Sequence, residues 1–270
     1  MKIVDLITVI GLIAGCALGA EPNPRDLVSQ SILNYDKDWQ AALDFTCTER
    51  DIAYDSSGHP KAVEISQIDV FKGTPYNRLI ARDGHPLSLE EERKEDEKYQ
   101  KMLNMREKET PDQRARRVRK YEEERQFLHE IPAAFDMKLF GSETVAGRPN
   151  YVIALTPKED YVPKSKNARL FSSIEGKLWI DKQDVRWTQA EANVIDTISI
   201  GWVLARIGPG AHITMKQVKV DGDHWMPEEI TVSGTARILL VKNRALGETV
   251  SYDNYKRVRP APGIAAAKKR

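Results

Sequence analysis

The chain of 270 residues is 41% hydrophobic and 30% charged, with a mean hydropathy of −0.51. This is the composition of a water-soluble globular protein and excludes a bundle of membrane-spanning helices. Its 41 Lys and Arg against 40 Asp and Glu leave a net charge of +1, which argues against a dedicated nucleic-acid binder, because phosphate binding needs a surplus of positive charge. Of the two cysteines, Cys16 lies in an apparent leader, so the folded body has no intramolecular disulfide framework.

Residues 1–20 read as an export signal. Lys2 precedes an apolar stretch, Ile3 to Leu18, broken only by Asp5 and ending in small residues. The stretch is shorter than the roughly 20 apolar residues an anchor helix needs. Ile13-Ala14-Gly15-Cys16 resembles the bacterial lipobox, whose cysteine becomes the acylated first residue of a lipoprotein. Two products stay open: a soluble periplasmic chain cut near Gly19 or Ala20, or a chain held on a membrane leaflet through lipidated Cys16.

Residues 21–258 read as a single domain. Asn23-Pro24 supply a helix N-cap and a first-turn proline, and Val28, Ile32, Tyr35, Trp39 and Ala42 recur at helical spacing. One amphipathic helix packed on a sheet is expected. The β-rich runs Thr46–Tyr54, Val63–Phe71 and Tyr76–Arg82 follow, separated by Asp55-Ser56-Ser57-Gly58 and Lys72-Gly73-Thr74-Pro75. Such turn chemistry predicts an antiparallel meander.

Residues 88–131 form a charged insertion. Ser88 with Glu91, and Thr110 with Gln113 ahead of Pro111, are capping-box patterns, so two helices are expected with a break near Thr110. Their apolar lines are thin: Tyr99, Met102 and Leu103, then Val118, Tyr121, Leu128 and Ile131. That leaves a solvated hairpin lying on the domain, or a mobile cover over a cavity. The basic run from Arg114 to Lys120 precedes Glu122–Glu124, and i to i+4 pairing between the two accounts for both.

After Pro132 the candidate strands are Asp136–Val145, Asn150–Pro157, Lys177–Asp181, Val185–Ala192, Val194–Ile207, His212–Val220, Trp225–Val232, Arg237–Lys242 and Thr249–Arg257. Many strands joined by tight turns predict one large antiparallel sheet, curved or closed. Residues 259–270, with Pro260, Pro262 and Lys268-Lys269-Arg270, are expected to be a disordered basic tail.

The chemistry-bearing residues form no catalytic motif. His129-Glu130 begins a zinc-protease pattern, but Ala133 stands at the second ligand position and Pro132 breaks the helix. Around Gly176-Lys177, Phe171 replaces the first glycine of a phosphate loop. Cys47, a lone thiol on a strand, is expected to be buried and inert. Neither an enzyme nor a cofactor or metal is expected. The alternating apolar stripes of the strands fit either a core or a ligand-lined cavity.

The order of elements, with Gly73-Thr74-Pro75-Tyr76-Asn77-Arg78-Leu79-Ile80, Val145-Ala146-Gly147-Arg148-Pro149-Asn150-Tyr151 and Gly176-Lys177-Leu178-Trp179-Ile180-Asp181, resembles the LolA/LolB-like superfamily of exported lipoprotein carriers. The resemblance implies a mainly β fold with some α. Its strongly curved antiparallel sheet, a half-barrel, would have its concave apolar face covered by the N-terminal helix and the charged hairpin. It also implies lipid acyl chains or a lipoprotein as partner, and an alternative role as an envelope protein-interaction or sensor module without lipid cargo. Cavity candidates are Ile153, Leu155, Leu178, Ile180, Ile198, Ile200, Trp202, Leu204, Ile238 and Leu240, with Cys16 the candidate for lipidation.

Overall fold

The computed structural model describes residues 21–200, 205–238 and 242–258, without the side chains of 199–200, 205–206, 236–238 and 242–246. Cys16, Trp202, Leu204, Leu240 and the tail 259–270 lie outside the described residues.

Helix α1 (Pro24–Ala41) starts where its cap is encoded: the Asn23 side chain accepts the Arg25 amide at 2.9 Å, and Pro24 occupies the first turn. A short 3-10 turn leads into β1 (Phe45–Tyr54), β2 (Pro60–Phe71), β3 (Thr74–Arg82) and the two-residue β4 (His85–Pro86). The insertion forms α2 (Leu89–Glu107) and α3 (Pro111–Glu123), each opened by its complete capping box. A 3-10 turn, Gln126–Glu130, and the single-turn α4 (Ile131–Ala134) follow. The chain then makes β5 (Phe135–Val145), β6 (Arg148–Pro157), β7 (Ile174–Asp181), β8 (Trp187–Val194), β9 (Ile198–Ile200) and β10 (Ala205–Ile207). It finishes with β11 (His212–Val220), β12 (His224–Ile238) and β13 (Lys242–Arg257).

These strands build one antiparallel, curved and open sheet, running from β4 through β3, β2, β1, β13, β12, β11, β8, β7 and β6 to β5. β10 pairs with β12, and β9 with β10. Two sequence expectations are corrected. The single strand expected over Val194–Ile207 is a hairpin, with Ile198 opposite Ile207 and Ile200 opposite Ala205. Trp225–Val232 and the run from Arg237 belong to one long strand, because Gly234 lets β12 pass close to the chain before β11. A Cβ there would lie 2.6 Å from the Ala211 Cα, and its φ of 143° suits glycine.

The closed core lies under the first half of α1. Val28, Ile32 and Tyr35 pack on Ile153, Leu178 and Ile180 of the concave face, sealed at one side by Ile131 and Phe135. Trp187 stacks on Tyr35 at 5.3 Å and donates its indole N–H to the Ser31 hydroxyl at 2.6 Å, so its polar atom is satisfied inside the core. The β7–β8 turn is held by Asp181, fully buried, which accepts Arg148 Nε at 2.7 Å and the Asp184 amide at 2.6 Å. Burial pushes the Asp181 carboxyl up, but the Arg148 hydrogen bond and the turn amides outweigh it and hold the group below the usual carboxylate range.

The hairpin is fixed by arginine hydrogen bonds together with buried Met102 and the packing of Tyr99 on Tyr76. Buried Arg106 of α2 donates to the carbonyls of Phe71, Thr74 and Pro75 at 3.0, 2.8 and 3.1 Å. Arg117 of α3 donates to the Lys72 carbonyl at 3.1 Å and forks onto Glu109, both bonds at 2.6 Å. The tight β2–β3 turn, with Lys72 and Gly73 at positive φ, turns these carbonyls toward the helices. The expected pairing of the basic run with Glu122–Glu124 is also corrected: Arg117 pairs back to Glu109, and the i to i+4 pairs lie on α2, as in Lys94–Glu90 and Arg93–Glu97.

Candidate functional site

The second half of α1 carries the same stripe that seals the core, but here it roofs a vacancy. Trp39, Ala42 and Leu43 look down on a cavity of about 230 Å³. One water occupies roughly 10–15 Å³ of such space, so this is more than a packing flaw. Its floor comes from β3, β2, β1, β13, β12 and β11, six neighbouring strands spanning about 24 Å at ~4.8 Å per step. A single hollow touches all six because the sheet curves around it.

The walls are aromatic and aliphatic: Phe45, Trp225 and Tyr252 stand with Ile68, Val70 and Met226. Their ionisable neighbours are mostly held neutral. Burial pushes the Cys47 thiol up to about 12, with nearby Glu49 adding to it. Burial likewise raises the phenols of Tyr121, Tyr252 and Tyr255. The Tyr255 hydroxyl donates to the Pro227 carbonyl at 2.7 Å. Glu49 accepts Asn77 Nδ2 at 2.8 Å, and Asp38 is paired with Arg186. Burial raises the Asp38 carboxyl, against the opposing Arg186 hydrogen bond.

The side door is made by the insertion. Tyr121 of α3 stacks on Trp39 with ring centroids 4.7 Å apart and planes 20° from parallel. The Arg125 guanidinium lies 4.3 Å from the centre of the same Trp39 ring. Outside this door is a second, polar hollow of about 280 Å³, walled by Asp36, Gln40, Glu122 and His129, which shares Trp39 and Arg125 with the inner one. His129 is accounted for here, with Nε2 2.9 Å from Asp36. No cluster of His, Cys, Asp and Glu among the described residues has metal-holding geometry. The arrangement can hold an apolar guest, and the Cys47 thiol, raised by burial, stays protonated beside it.

Those of the residues singled out from the sequence whose side chains are described lie elsewhere. Ile153, Leu155, Leu178 and Ile180 share the concave face, but they are buried in the closed core and do not line the cavity. Ile198 packs on the small cluster of Val194, Ile207 and Ala211. Ile200 and Ile238 have described backbones only, on β9 and β12. The physical reason is coverage: α1, α4 and the turn Asn167–Ser173 fill the β6–β8 part of the face and leave the β1–β3 and β11–β13 part vacant. The signal that pointed to the true wall was α1's own stripe, through Trp39 and Ala42, together with the odd-numbered series Phe45, Cys47 and Glu49 on β1.

No protein-family model and no curated protein matches the chain. Among solved structures, it is similar to a putative outer membrane lipoprotein-sorting protein domain from Vibrio parahaemolyticus. The identity is 10%, covering 88% of this chain and 94% of that one, with a TM-score of 0.35. A LolA superfamily protein from Nitrosomonas europaea is 13% identical over 87% and 94% of the two chains, with a TM-score of 0.34. A chain of the Pseudomonas aeruginosa MucA/MucB complex is 10% identical over 86% of this chain and 99% of that one, with a TM-score of 0.24. At these identities and scores, the likenesses carry no weight beside the cavity's own geometry.

Proposed function

We propose that the chain is an exported lipid- or lipoprotein-binding protein that holds acyl chains in the aromatic cavity and catalyses no reaction. A role in sorting envelope lipoproteins belongs to the same proposal. The observation that carries it is the vacancy of about 230 Å³ beneath Trp39, whose thiol and phenols are kept uncharged. Each methylene moved from water into such a wall gains about 0.8 kcal/mol, so even a short chain has a substantial driving force. Among the described residues, no helix is long and apolar enough to cross a membrane. Within the proposal, attachment to a membrane is through lipidated Cys16.

Native mass spectrometry of the protein taken from its own envelope tests this reading. A bound lipid mass, removed by organic extraction, is expected, and the N-terminal mass reports whether Cys16 carries acyl groups. A lipid-free spectrum from gently prepared envelopes refutes it. Exposed Leu89 and Met105 on α2, 87% and 63% accessible, favour a second reading, an envelope sensor without cargo. A co-purifying protein on a lipid-free chain is its signature.

A further inference from the structure

The door between the two hollows holds two donors without acceptors. Trp39 Nε1 and Arg125 Nε are both buried atoms with no hydrogen-bond partner. Both groups only donate, so what is missing is an acceptor. The surrounding carboxylates are engaged: Asp38 with Arg186, Asp36 with His129, Glu49 with Asn77, and Glu122 with Gln40 at 3.4 Å. Arg125 enters none of the ion pairs among the described residues. The half-buried guanidinium lies on the indole with its Nε and the indole N–H both lacking an acceptor, which an anion arriving from outside would supply.

We propose that the cavity takes an anionic amphiphile, its tail among the aromatic walls and its carboxylate or phosphate head on Arg125 and Trp39 at the door. The proposal rests on the acyl-binding reading and names the class of ligand. Three features set the orientation. The inner chamber is mostly apolar, and its carboxylates are Glu49 and the Arg186-paired Asp38, so a negative head is repelled from its depth and drawn to Arg125. The outer hollow is polar and leaves room for the uncharged remainder of a headgroup, while its Asp36 and Glu122 carboxylates keep the anionic group itself at Arg125 and Trp39. The planar guanidinium fork matches carboxylate and phosphate oxygens, which a neutral alcohol or ester cannot engage as strongly.

The test uses the mature chain, freed of lipid, loaded with the neutral fluorescent probe N-phenyl-1-naphthylamine at pH 7.5. Dodecanoate, dodecyl phosphate and dodecan-1-ol are compared as displacers, all with the same tail. At least one of the two anions is expected to displace the probe at about ten-fold lower concentration than the alcohol, the scale of one charge-assisted hydrogen bond. The stronger of the two identifies a fatty-acid or a phosphate head. Arg125→Gln is expected to bring the anion-to-alcohol displacement ratio down to about one, Arg125→Lys to retain part of the ratio, and Trp39→Phe, which keeps the ring but not the N–H, to reduce it. Probe binding with equal displacement by alcohol and anions overturns the headgroup assignment while the acyl-binding reading survives. Displacement by inorganic phosphate, which has no tail, overturns it as well. Absence of probe binding overturns both. Should Arg125→Gln fail to fold, the anion-to-alcohol ratio of the unaltered chain and the Trp39→Phe variant decide.

Discussion

The sign of one substitution separates a vacancy from a packed core. Val70 of β2 contributes to the cavity wall, and Val70→Trp would grow into the hollow. A buried aromatic covers about 150–250 Å², so the change adds roughly 100 Å² of apolar burial. At about 25 cal/mol per Å² this contributes ~2.5 kcal/mol, from which the ordering of a larger side chain removes about 1 kcal/mol. Both residues favour strands, so the backbone term stays small. The net expectation is a gain of about 1–2 kcal/mol and weaker binding of the neutral probe. In a filled core the same enlargement costs about 1–3 kcal/mol. Urea unfolding measures the difference: the midpoint rises with an unchanged slope. Ile153→Ala is the matched control, because Ile153 is fully buried in the closed core, and there truncation is expected to cost about 2–5 kcal/mol. A fall of 1 kcal/mol or more for Val70→Trp at unchanged slope would falsify the vacancy, and the binding reading with it.

Arg106→Met keeps the stem of the side chain but strips three backbone carbonyls of their shared donor; hydrogen exchange over α2 and α3 is expected to accelerate while that of β6 and β7 is unchanged. Unaltered protection of the hairpin would show that its apolar contacts suffice. Arg148→Met leaves Asp181 buried without its cation, for an expected loss of about 3–5 kcal/mol at pH 7. Because the Asp181 and Asp184 carboxyls are held below their ordinary range, this stabilisation is present above the unfolded value near ~3.9 and lost as pH falls through the folded ones. The stability difference between wild type and Arg148→Met is therefore expected to shrink on acidification from pH 7 to 3. Taking the difference removes the opposite contribution of Asp38, Asp51 and Glu248, whose carboxyls burial raises. A difference that stays constant with pH refutes the charge-based account.

What the sequence by itself determined was local. The Asn23 cap, both capping boxes and the turn glycines act within a few residues, so they placed α1, α2, α3 and the early strands close to their observed bounds. Alternation put Ile153 and Leu155 on one face of their strand, because a strand's period of two needs no partner to be read; that Leu178 lies opposite Ile153 only the pairing of β6 with β7 decided. Only the tertiary structure decided which part of that face is filled. Coverage depends on where α1 crosses the sheet: Tyr35 meets Trp187 and seals it, whereas one turn later Trp39 meets Tyr121 and Arg125 and leaves a hollow beneath. The anchoring of the hairpin was equally invisible, since Arg106 finds its acceptors in a turn more than thirty residues away. Long-range register and helix placement are collective outcomes of packing, and no short window of residues encodes them.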